Sequence, residues 1–77
     1  MNLSTIKSLL ASDNISANQV NPIIGAIEIQ QIGKLTELEK GALRDIINSM
    51  LLLSQDKDSG ACVNNPAKAE LILEALG

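Results

Sequence analysis

A chain of 77 residues with no His, Phe, Tyr or Trp, a single Cys and 45% hydrophobic residues is long enough for one domain, whose core must be aliphatic. It lacks the side chain that titrates near neutrality, which is also the commonest metal ligand, and the rings on which nucleic-acid bases stack. Six basic against nine acidic residues leave a net charge of −3, the wrong sign for gripping phosphates, so enzyme, cofactor and nucleic-acid readings all lose their parts.

The first helix is predicted over Ser4–Ala11, with Ile6, Leu9 and Leu10 on one face, Asn2 or Ser4 as its cap, and Ser12-Asp13-Asn14 as its end. Ser16 and Gln19 have capping-box spacing, and Asn21-Pro22 has the spacing of a cap followed by a first-turn proline. A short helical piece at 16–20 and a second helix from Pro22 to Ile32, closed by a left-handed Gly33, satisfy both signals. At about 100° per residue this helix carries Val20, Ile23, Ile24 and Ile27 on one stripe, with Ile29 and Ile32 near the opposite side. Two apolar faces with Glu28 as the only charge read as a central helix or as half of a subunit interface. Ile23, Ile27, Ile29 and Ile32 are therefore the expected contacts of a homodimer.

The third helix starts at a Thr36/Glu39 capping box and runs from Glu37 to Leu53 or Ser54. Leu43, Ile46, Ile47, Met50 and Leu51 form its buried stripe, and Gly41 within it suggests a close helix approach. Leu38, Asp45 and Leu52 fall on the opposite side and are the expected partner-binding residues, with Arg44 and Asn48 as polar rim. Gln55–Val63 reads as a polar loop. A last helix begins with Asn65 as cap and Pro66 at its first position, and buries Ala69, Ile72, Leu73 and Leu76. The elements predict an all-α single domain over 1–77: an antiparallel bundle of three to four helices, completed by oligomerisation.

Chemical motifs fail on spacing. Asp56-Lys57-Asp58-Ser59-Gly60 resembles the start of a calcium loop, but no register gives both the Gly at position six and a Glu at twelve. Cys62 has no His to activate it and cannot form an internal disulfide, and no secretory leader pattern is present, which fits a reducing cytoplasm. The apolar stretch from Asn14 to Gly33 contains too many Asn and Gln to span a bilayer. A helix-turn-helix is disfavoured because Ser16–Gln31 holds no Lys or Arg.

Surplus apolar faces then predict a non-catalytic protein-protein interaction module with no cofactor or metal, acting as adaptor, chaperone-like subunit or inhibitor by occupying a protein surface. A variant of this reading is a phage- or plasmid-type accessory protein that inhibits a host defence complex or enzyme. An alternative of another class is an oligomer enclosing a small-ligand pocket lined by Asn18, Asn21, Gln30, Gln31 and Lys34.

Overall fold

All but one of the α-helices begin where a side chain satisfies an otherwise free first-turn amide. In the computed structural model, which describes residues 1–12 and 15–77, Asn2 Oδ1 accepts from the Thr5 amide at 2.9 Å and starts α1 (Leu3–Ala11). The Thr36/Glu39 box closes in both directions, at 3.1 Å to the Glu39 amide and 2.8 Å from the Thr36 amide, and starts α3 (Glu37–Ser54). Asn65 Oδ1 accepts from the Lys68 amide at 3.1 Å ahead of Pro66 and starts α4 (Pro66–Leu76). Asp13 and Asn14, expected with Ser12 to end the first helix, lie outside the described residues.

The helix predicted over 22–32 is two shorter pieces. A 3-10 turn at Ala17–Gln19 leads directly into α2 (Val20–Ala26), so the helix starts ahead of Asn21, and Pro22 occupies a first-turn position where a missing amide costs nothing. After Ala26 the backbone becomes extended at Ile27 (ψ 139°) and Glu28 (ψ 150°), then turns into a 3-10 segment, Ile29–Lys34. Local chemistry favours the break: Gly25 weakens the last turn, Ile27 is β-branched, and Gln31 Oε1 accepts from the Glu28 amide at 3.0 Å. Gly33 lies inside the 3-10 segment without a positive φ, so it is not the left-handed stop that was expected.

The break changes where the second apolar face goes. Ile23 and Ile27 are fully buried and Ile32 is 2% exposed, all in the core of a single chain, and only Ile29, at 40%, remains at the surface. Three of the four expected dimer contacts are thus internal, and no second copy is needed to cover them. In a 3-10 helix residues three apart eclipse, which places Ile32 and Leu35 together against the core. α3 is the spine of this all-α domain: it packs on α1, α2 and α4 through Leu43, Ile47 and Met50, while Ile6 and Leu10 enter from α1 and Ala69, Ile72 and Leu76 from α4. Each fully buried Ile or Leu contributes roughly 1.5–3 kcal/mol.

Three cations tie the helical pieces together by the same device. Lys68 Nζ donates to the Gly25 carbonyl at 3.1 Å, Lys7 Nζ to the Lys34 carbonyl at 3.1 Å, and Arg44 Nη2 to the Leu76 carbonyl at 3.0 Å. Each carbonyl lies at the C-terminal end of a helical segment, where the backbone has no further amide to offer and the helix dipole favours positive charge. Arg44, in the first half of α3, thereby ties that helix to the last residue of α4. Lys7 also pairs with Glu39 at 3.2 Å, joining α1 to the start of α3.

Two substitutions separate this packing from the two-faced helix. Ile32→Glu puts an unpaired charge into the core and is expected to lower stability by about 4 kcal/mol or more, whereas Ile29→Glu should stay within about 0.5 kcal/mol in a denaturant melt. Nothing from outside the local turn of α3 comes within 4 Å of where a side chain at Gly41 would begin, so the expected close approach is absent there. Gly41→Ala should raise stability by about 1 kcal/mol by the same measurement.

Candidate functional site

The solvent-facing flank of α3 and the segment before α2 form the two walls of a trough. Asp45, Ile46, Ser49, Met50 and Leu53 follow one another at helical spacing along α3, opposite Ile15, Ser16, Ala17 and Val20. This end encloses about 290 Å³. Beyond Ala17, Met50 and Leu53 the trough widens to about 620 Å³, between Asn18, Asn21 and Pro22 on one side and Ser59, Gly60, Ala61, Cys62 and Asn64 on the other.

Both walls are held by side chains that act on backbone. Gln19 Oε1 accepts from the Ser16 amide at 3.3 Å, fixing the 3-10 turn that presents Ala17 and Asn18. Asn21 spans to the loop after α3: its Nδ2 donates to the Cys62 carbonyl at 2.8 Å and its Oδ1 accepts from the Asn64 amide at 2.9 Å. The amide side chain thereby stands in for a stretch of paired backbone. The loop is folded on itself, with the Ser59 hydroxyl donating to the Leu53 carbonyl at 2.6 Å and accepting from the Ala61 amide at 3.1 Å. Gly60, at φ 73°, makes the left-handed turn between them.

Of the expected partner-binding residues, Asp45 lines the narrow end. Leu52 is 68% exposed but stands beside the trough, on the outer side of α3. Leu38, 76% exposed, is fourteen positions away from Leu52, about 21 Å along the helix, so the two do not form one anchor. Arg44 is not a rim charge, since its guanidinium is committed to the Leu76 carbonyl. Ala17 and Leu53 are the trough residues that the sequence does not single out, while Met50, expected in the buried stripe, is buried and forms the base beneath them. Leu53 was assigned to the helix end, and nothing in the sequence shows that residues 15–20 fold back against it.

The five residues of the expected ligand pocket do not come together. Asn18 and Asn21 face the wide end of the trough, whereas Gln31 caps Glu28 and Gln30 donates to the Glu28 carboxylate at 2.7 Å, away from it. Asp56 Oδ1 accepts from the Asp58 amide at 3.0 Å, so the acidic pair serves the turn after α3. Cys62 is exposed at the wide end. Among the described residues no cluster of three or more His, Cys, Asp or Glu comes together to hold a metal ion, and no helix is long and apolar enough to cross a membrane. No protein-family model, curated protein or solved structure matches the chain.

Away from the trough, the Glu39 carboxyl is held below its ordinary value of 4.5, first by the hydrogen bond from the Thr36 amide and then by the Lys7 ammonium, against partial desolvation. A folded value below the unfolded one stabilises the fold above pH 4.5, and that contribution is lost as pH falls through the folded value. In urea unfolding followed across this acid range, Glu39→Gln should show a shallower loss of stability than the wild type. Parallel curves for the two proteins would place the acid sensitivity elsewhere.

Proposed function

We propose that the chain is a non-catalytic protein-interaction module, and that the trough between α3 and residues 15–22 is where it receives its partner. The observation that carries this reading is a cleft in which Leu53 is exposed and Ile46 half-buried, over a base of buried Val20 and Met50 that belongs to the core. Leu53 remains 47% exposed there although the burial of a side chain of its size is favourable. The walls are fixed by Gln19, Asn21 and Ser59, so ordering costs little when a partner docks. Around the apolar centre stand Ser16, Ser49, Asp45 and Asn18, an arrangement of apolar core and polar rim that protein interfaces use.

Catalysis requires a nucleophile or a proton-transfer group held against a second group that activates it. The hydroxyls and the carboxylate along this trough are not hydrogen-bonded to one another among the described residues, and the side chains there offer shape and apolar area.

Ala17 lines both halves of the trough and is exposed, so Ala17→Gln fills it without touching the core. A protein that co-purifies with the wild type from its native cell should be lost from Ala17→Gln, with a change of about 1–4 kcal/mol in binding and an unchanged melting temperature. Leu38→Ala should retain the same protein. Retention by Ala17→Gln together with loss from Leu38→Ala would move the site to the outer face of α3.

A further inference from the structure

We infer that the occupant of the trough is an amphipathic helical segment of another protein, with two apolar side chains one turn apart and a flanking Lys or Arg that meets Asp45. This rests on the trough being the protein-binding site, and it adds the chemistry of the ligand. Asp45 is the one charged side chain of the narrow end, it is exposed, and it makes no hydrogen bond or ion pair with any described residue. Arg44, next to it in sequence, points to another side of α3 and donates to the Leu76 carbonyl. No charged side chain lines the wide end, so Asp45 alone sets the sign of charge along the trough and favours a cation at the narrow end.

Length and backbone select the form of the ligand. From Asp45 to Leu53 the α3 wall runs about 12 Å, two helical turns, enough for two apolar anchors at i and i+4. The walls are helix and turn with no open strand edge among the described residues, so an extended segment would gain no main-chain pairing. A second copy of this chain fits poorly. Each copy carries −3, and its exposed Ile29, Leu38 and Leu71 each follow a Glu in sequence, which would bring like charge to Asp45; exposed Met1 and Leu52 have no acidic neighbour in sequence, and the oligomeric state tests them.

The test uses the full chain and two synthetic helical peptides that share a pair of leucines one turn apart, one flanked by lysines and the other by glutamates. Fluorescence anisotropy at low salt should show the wild type preferring the lysine peptide by about fivefold or more, with the preference shrinking as salt is added. Asp45→Lys should reverse the order, and Ala17→Gln should bind neither peptide. Equal binding of both peptides by the wild type, an unchanged order in Asp45→Lys, or undiminished lysine-peptide binding by Ala17→Gln overturns the inference. So does a wild-type dimer in sedimentation that Ala17→Gln dissociates. If neither peptide binds while the co-purifying protein still depends on Ala17, the trough remains the site and the proposed occupant is wrong; if that protein is indifferent to Ala17, both fall.

Discussion

The structure depends on the break in the chain at Ile27 and Glu28. A continuous helix from Val20 to Ile32 would carry isoleucines on opposite sides, and a domain of 77 residues has no second core in which to bury the far side. Two extended residues re-aim the chain so that Ile27, Ile32 and Leu35 enter the core already occupied by Ile23 and Ile24. Without an aromatic ring to fill volume, the core is made of many β-branched and leucyl side chains brought in from every element. The break is what lets residues 20–35 contribute from both of their apolar faces.

A broken helix creates extra ends, and ends leave carbonyls without amide partners. Neither α2 nor the 29–34 segment finishes on a left-handed residue, the usual remedy. Lys68 and Lys7 supply the missing donors from distant parts of the chain, and Arg44 does the same at the end of α4. Half of the six basic residues of an acidic chain are therefore bonded to carbonyls at helix ends, at exposed or part-buried positions. At the surface, Asp45 has no ion pair with any described residue and is the one charge that lines the trough.

Most of the element boundaries were legible because they are written locally. Asn2, the Thr36/Glu39 box and Asn65-Pro66 each act within four residues, and α1, α3 and α4 start where those signals place them. The 100° periodicity likewise identified Leu43, Ile47 and Met50 as core. What was illegible depends on partners far away in sequence. Asn21 reads as a helix cap, yet its amide is used against residues 62 and 64. Ile32 reads as a subunit contact because the local signals at the break, Gly25, Ile27 and the Glu28/Gln31 pair, are each tolerated inside a helix as well, and only burial of Ile27 and Ile32 in one core decides between the two. The trough escaped notice for the same reason: its floor is α3, but its other wall is a polar turn whose position is set by tertiary packing.

The claim on which these points converge is that residues 20–34 are two helical pieces joined by an extended pair, with Ile27 and Ile32 both in the core of the same chain. Backbone carbon chemical shifts of the isotopically labelled protein in solution report this directly. The account predicts helical shifts over 20–26, strand-like shifts at Ile27 and Glu28, and a return toward helical values over 29–34. Uninterrupted helical shifts from Val20 through Ile32 would contradict it, and would return Ile29 and Ile32 to the surface of a helix in search of a partner.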